Sequence, residues 1–193
     1  VNAVAREASV AAAILAGGAA RRLGGIDKGL ALFRGRPLIA HVIAAIAPQV
    51  DAVLIVANRH RAEYQAYAAV ESDRQAGFRG PLEGIATALQ RCRQDWLLTV
   101  PVDCPAPGSD LLQQLWQARA GVDLVVAHDG ERRQPLFALY CRARVTIPDS
   151  AADPHRPVWA WQDTHALREV DFQRSAGRFV NLNTVEDFQD AAD

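Results

Sequence analysis

Little charge of either sign is in excess along this chain: 21 lysines and arginines stand against 22 acids, a formal net charge of −1 over 193 residues. So weak a whole-protein field does not draw polyanions, which argues against a general nucleic-acid or membrane-surface binder. Any anion site must be local. Cysteine is scarce and odd in number: Cys92, Cys104 and Cys141 lie far apart with no CxxC pair. Neither a disulfide framework nor a zinc site is expected, and a reducing cytoplasm fits. No apolar stretch approaches membrane-spanning length. Arg6 followed by Val10 to Ala16 has the look of a short signal peptide, but Glu7 falls in the basic segment and the apolar run is brief, so that reading is set aside. Internal repeats, linkers and low-complexity tracts are absent.

What is present is half hydrophobic (50%), enough to bury one substantial core, and the length suggests a single domain. Nearly continuous apolar runs recur at Val10–Leu15, Ala52–Val56, Trp96–Val102 and Leu124–Ala127. Continuous rather than alternating runs mark strands covered on both faces, hence a parallel sheet. Helical spacing separates them: Pro37 leads Leu38, Val42, Ile43 and Ile46, and Leu82–Cys92 and Ser109–Ala118 repeat the pattern. The alternation predicts an α/β fold. Leu136–Cys141 reads as a further strand, and Thr184 with Asp187 as the opening of a last helix. Residues 146–161, with Pro148, Pro154 and Pro157, read as a loop or short helices able to act as a lid.

After the first run comes "LAGGAARRLGGIDKGL", Leu15 to Leu30. Glycines let backbone N–H groups turn inward and approach a phosphate, and Arg21, Arg22 and Lys28 add charge where a polyphosphate would lie. Neither familiar phosphate loop matches. Lys28 follows Asp27 and precedes Gly29, which is not a Walker A arrangement, and Gly17, Gly18, Gly24 and Gly25 lack the GxGxxG spacing. A second marker is "VPVDCP", Val100 to Pro105. An Asp at the exit of a buried strand can hold Mg²⁺, which takes one or two carboxylates plus phosphate oxygens. Asp103 could alternatively cap the helix beginning near Ser109.

These segments together resemble the molybdenum cofactor guanylyltransferases: the glycine loop is followed in order by "GRPLI" (Gly35–Ile39), "ANRH" (Ala57–His60), "GPLEGI" (Gly80–Ile85), "VPVDCP", "RQPLFALY" (Arg133–Tyr140) and "NLNTVED" (Asn181–Asp187). The similarity spans nearly the whole chain. It implies a Rossmann-like three-layer α/β fold with a mostly parallel sheet, in which 10–105 form a nucleotide-binding half, 106–193 a pterin-binding half, and 1–8 a flexible extension. It implies transfer of GMP from GTP to molybdopterin carrying molybdenum, with release of pyrophosphate. Leu15, Ala16, Gly17 and Gly18 would line the GTP site with Gly80, Lys28 would lie on the phosphates, and Asp103 would hold Mg²⁺. Asp73 matches the family's acidic nucleotide contact, for which a carboxylate able to accept both N–H donors of guanine's Watson–Crick edge is one reason, and it reads equally well as a turn residue. A close member of the family has asparagine where this chain has Val56, so that contact is missing or passes to Asn58.

The resemblance also implies partners: GTP, molybdopterin, and the cofactor-maturation proteins and apo-molybdoenzymes beyond them. Asn181 and Asn183, alternate residues that share one face when extended, would serve the pterin, as would Arg156. Arg132, Arg133 and Arg178 are further candidates for its phosphate. That phosphate, with a second pKa near about 6, is already mostly dianionic at neutral pH and needs no general base. None is evident: His41 sits in an apolar helical pattern, and His60 and His128 in loop contexts. Lys28, Arg22 and the metal on Asp103 would balance charge on the leaving pyrophosphate. Two rivals share the sequence: a cytidylyltransferase on the same scaffold, whose loop tends to read "LAAG", and a carrier that binds nucleotide or cofactor without catalysis.

Overall fold

A computed structural model describes residues 8–17, 27–74, 80–149, 152–153, 155–183 and 187. At its centre lies β1 (Val10–Leu15), flanked in parallel by β4 (Ala52–Val56) and β6 (Trp96–Pro101). Outside β4 lies β5 (Ala69–Glu71); outside β6 come β8 (Arg133–Cys141), β7 (Leu124–His128) and β9 (Leu167–Asp171). Among the described residues these form one sheet ordered β5-β4-β1-β6-β8-β7-β9, in which β8 alone runs antiparallel to its neighbours. A small ribbon, β2 (Leu32–Phe33) with β3 (Arg36–Pro37), stands apart.

The side-chain period of a strand sorts β1 into two faces. Val10, Ala12 and Ile14 face α1 (Leu38–Ile46) and α4 (Leu111–Gln117), packing with Ile39, Val42, Ile46, Leu111 and Leu115. Ala11 and Ala13 face α3 (Pro81–Arg91) and α5 (Val158–Gln162), packing with Leu82, Ile85, Leu89 and Trp161. Helices therefore cover both faces, as the continuous apolar runs predict, in the three-layer Rossmann-like arrangement that the resemblance implies.

The runs and strands agree to within a residue or two, and three helical patterns appear as α1, α3 and α4. The expected Ser109–Ala118 helix is shorter, Leu111–Gln117, with Asp110 at its N-cap, so Asp103 does not cap it. β8 starts earlier than Leu136, at Arg133, because it forms a hairpin with β7 across Asp129–Arg132. The Asp129 carboxylate accepts the Glu131 and Arg132 amides, and Gly130 takes φ +101°. β5 is three residues long and β9 is a charged edge strand, and neither has an apolar run that a sequence reading could detect. Among the described residues of the 146–161 stretch only α5 is regular; its Trp161 is buried against Tyr140, rings 5.5 Å apart, while Trp159 is 53% exposed. His128 closes β7 rather than sitting in a loop, and His41 is only half-buried on α1, its Nε2 donating to the Phe33 carbonyl. Residues 1–7 of the predicted 1–8 extension and the Thr184 cap lie outside the described residues. Among those described, no helix is long and apolar enough to cross a membrane.

Candidate active site

In an open α/β sheet, ligands bind beyond the carboxyl ends of the strands where the connections diverge. Here β1 leads outward to β4 on one side and has β6 on the other. The exits of these strands and of β5 are stitched side by side: the Ala16 amide donates to the Val56 carbonyl (2.9 Å), the Val102 amide to the Leu15 carbonyl (3.1 Å), and the Ala57 amide to the Glu71 carbonyl of β5 (2.9 Å). Leu15–Gly17, Ala57–Asn58, Ser72–Asp73 and Val102–Cys104 are thereby brought to one rim.

Lys28 reaches this rim from the glycine loop. Its Nζ lies 3.3 Å from Asp103 Oδ2 and donates to Asn183 Oδ1, with about a quarter of its side chain exposed (24%). The lysine sits in a single 3-10 turn, Lys28–Leu30, capped by Asp27, whose carboxylate accepts the Gly29 amide (3.1 Å). The same oxygen accepts the phenol of Tyr64, fully buried on α2 (Arg61–Gln65). Burial first, then the hydrogen bond to Asp27, pushes the Tyr64 phenol far above its ordinary value, so it stays a neutral donor. Gly29 has no room for a side chain, since a Cβ would run into the Tyr64 hydroxyl and come within 2.9 Å of Val102.

The segment 180–183 completes the arrangement. The Leu182 amide donates to the Asp103 carbonyl (2.9 Å), and its side chain, 1% exposed, packs with Phe33 and Leu38. Burying that side chain contributes about 1.5–3 kcal/mol toward docking the segment. With Leu182 turned inward, Asn181 and Asn183 both face the β6 exit: Asn181 Oδ1 accepts from Cys104 Sγ (2.6 Å) and Asn183 Oδ1 from Lys28. Burial raises the Cys104 thiol well above its ordinary value, which keeps it a protonated donor and not a nucleophile.

On the other side, Asn58 and Asp73 bond reciprocally: Asn58 Nδ2 donates to Asp73 Oδ2 (2.5 Å) and the Asp73 amide to Asn58 Oδ1 (2.9 Å). Gly17 approaches this pair; a Cβ there would lie 3.9 Å from Asn58 Nδ2. The other carboxylate oxygen, Asp73 Oδ1, is buried and has no hydrogen-bond partner among the described residues. Burial raises the Asp73 carboxyl above its usual value, with the nearby Glu83 charge adding to the effect and Asn58 and Arg74 opposing it. An orphaned buried acceptor costs stability unless a ligand satisfies it. Val56 is buried with the core, so the polar side chain at this exit is that of Asn58.

Gly80, with φ +80°, opens α3 immediately before Pro81. Arg156 donates through Nη2 to the Ala160 carbonyl on α5 (3.1 Å). Arg133 pairs with Asp163 (2.6 Å) and Glu169 (2.7 Å), Arg178 with Asp110 (2.8 Å), and Arg132 is exposed beside Asp129. Gly18 and Arg22 lie outside the described residues. Tyr64, Asp27, Cys104 and Leu182 carry the geometry but were not legible as site residues, because each acts through a partner remote in sequence.

The model of the MobA-like NTP transferase domain matches residues 12–171. A molybdenum cofactor guanylyltransferase of Pasteurella multocida is 44% identical over 183 residues, 92% of this chain and 96% of that protein. One from Mannheimia succiniciproducens is 41% identical over 183 residues, 93% and 96% of the two chains. Among solved structures, the molybdopterin-guanine dinucleotide biosynthesis protein A of Archaeoglobus fulgidus superposes with a TM-score of 0.73 at 22% identity, covering 94% of this chain and 96% of its own.

Proposed function

Because the chain belongs to the MobA-like NTP transferase family, we propose that it transfers GMP from GTP to molybdenum-loaded molybdopterin, forming the guanine dinucleotide cofactor and pyrophosphate. The guanylyltransferase activity of relatives above 40% identity supports the reaction, and the observation that carries the choice of base is Asp73 Oδ1. Guanine offers two adjacent N–H donors on its Watson–Crick edge, whereas cytosine and adenine each offer one amino group beside an acceptor. A carboxylate accepts only, so it favours guanine.

Leu15, Ala16, Gly17 and Gly18 then cradle the nucleotide with Asn58 and Gly80, and Lys28 with Arg22 lies on its phosphates. Among the described residues no group of three or more His, Cys, Asp or Glu could hold a metal. A hard ion that takes most of its ligands from phosphate oxygens needs one or two carboxylates, and Asp103 would be the residue to hold it. Mg²⁺ bound there would supply positive charge to the triphosphate and the leaving pyrophosphate.

In the reaction an oxygen of the pterin's terminal phosphate attacks the α-phosphorus of GTP. The bond from that phosphorus to the bridging oxygen breaks, and pyrophosphate leaves with the electron pair. The attacking dianion needs no proton removed, which fits the engagement of His41 with Phe33 and of His60 with Glu63. What the chain supplies is alignment and charge. Lys28 exchanges its apo partners Asp103 and Asn183 for phosphate oxygens, and this frees the Asn183 amide oxygen to meet the incoming pterin together with Asn181 and Arg156.

Mass detection of a GMP adduct on the pterin, with pyrophosphate release, tests the reading in the wild type and in Asp103→Ala. Loss of the adduct in the variant is expected. A clear preference for CTP over GTP would turn the assignment to a cytidylyltransferase, and nucleotide binding without pyrophosphate release to a carrier.

A further inference from the structure

Directly after Asp73 the chain is held by a charge pair that the reaction above does not use. The Arg74 amide donates to Glu83 Oε1 (3.0 Å) and to Thr87 Oγ1 (3.2 Å). Its guanidinium donates from Nε to the same Oε1 (3.0 Å) and from Nη2 to Oε2 (3.1 Å), a two-pronged fit. Nη2 also donates to the Pro148 carbonyl (3.2 Å). Glu83 lies in the first turn of α3 and is wholly buried (0% exposed).

A buried ion pair is a poor source of stability, because desolvating both charges offsets most of their attraction; its strength is in fixing one geometry. The geometry fixed here is the backbone one residue beyond Asp73. Asp73 Oδ2 is already engaged by Asn58, and Oδ1 has no partner among the described residues. Anchoring Arg74 by both its amide and its side chain therefore leaves the Asp73 carboxylate little freedom to turn Oδ1 elsewhere. The pair also places opposite charges beside Asp73, Glu83 raising its carboxyl and Arg74 lowering it. The bond to Pro148 extends the anchor to the segment before α5.

We propose that Arg74 and Glu83 are positioning residues for base selection: their pair holds Asp73 so that its free oxygen meets the donor edge of a purine carrying both N1–H and a 2-amino group. The proposal rests on the reading of Asp73 as the base contact, and the test separates the two.

The probe is ITP, which keeps N1–H and lacks the 2-amino group, compared with GTP in steady-state transfer to the loaded pterin. Asp73→Asn brings the two nucleotides within about twofold of each other. Glu83→Gln and Arg74→Lys raise KM for GTP at least about fivefold with kcat within about twofold, and lower the GTP/ITP ratio of kcat/KM at least about threefold. A merely structural role would lower the melting temperature and the amount of active enzyme without moving that ratio. Should Glu83→Gln fold poorly, Arg74→Lys, at a more exposed position, carries the measurement. If Asp73→Asn keeps the wild-type preference, the base contact is wrong and the proposal goes with it. If Asp73→Asn abolishes the preference while folded Arg74→Lys and Glu83→Gln retain it, only the positioning role is overturned.

Discussion

Replacing Tyr64 by phenylalanine removes one oxygen from a wholly buried position and leaves the ring in place, so packing on α2 is unchanged while Asp27 loses a donor. Among the described residues Asp27 keeps only the Gly29 amide on that oxygen. A hydrogen bond to a charged acceptor is worth about 1.5–3 kcal/mol. For a chain of this size each kcal/mol moves the melting temperature by about 2–4 °C, so a fall of about 3–12 °C is expected. The pH dependence supplies a second signature. The folded state raises the Tyr64 pKa above its ordinary 10.0, so between that value and the folded one the native protein binds the proton more tightly than the unfolded chain. Stability from this group is complete below pH about 10 and is lost above it, at up to about 1.4 kcal/mol per pH unit. Calorimetric melts at pH 8 and pH 10.5 should therefore show the gap between wild type and Tyr64→Phe narrowing at the higher pH. Tyr140 and Cys104, also raised by burial, are common to both proteins and cancel in the difference. Turnover should fall as well, because the turn that Asp27 caps carries Lys28. Equal melting temperatures at pH 8, or a gap that does not change with pH, would refute the account of Tyr64 as the brace of that turn.

Other expectations follow from the same geometry. Lys28→Ala should lower turnover by at least about tenfold, roughly 1.4 kcal/mol of barrier, and unchanged kcat in a steady-state assay would remove the lysine from the phosphates. Asp73, its carboxyl raised by burial, binds a proton more readily folded than unfolded, so its ionisation opposes stability above pH 3.8. Asp73→Asn should therefore melt higher than wild type at pH 7 while losing base preference, an advantage that fades toward pH 4; a lower melting temperature at pH 7 would count against it. Leu182→Ala should cost about 2–3 kcal/mol, felt first as release of the segment it pins. Hydrogen exchange at the Leu182 amide should accelerate by at least about tenfold, and unaltered protection would show that the side chain does not hold the segment.

The sheet was legible because strands covered on both faces leave continuous apolar runs, and those of β1, β4, β6 and β7 are such runs. β9 has charged residues on an edge, and no periodicity distinguishes it from a loop. Lys28 and Asp103 could be picked out because they stand in a glycine-rich turn and at a strand exit, and Asp73, Asn181 and Asn183 through the resemblance. The pairings that hold them could not: Tyr64 meets Asp27 across 37 positions, and Asn183 meets Lys28 across 155, separations at which local pattern carries no information. Arg133 and Arg178 show the converse, since a sequence offers their charge without revealing the carboxylates that already occupy it.

The bond between Lys28 and Asn183 joins groups that leave the ribosome far apart in time. Every strand of the sheet is translated before Asn181 appears, so a nascent chain can have all the material for its sheet while Lys28 still lacks Asn183. The surroundings of that lysine are thus completed only once the sheet that carries it has been made.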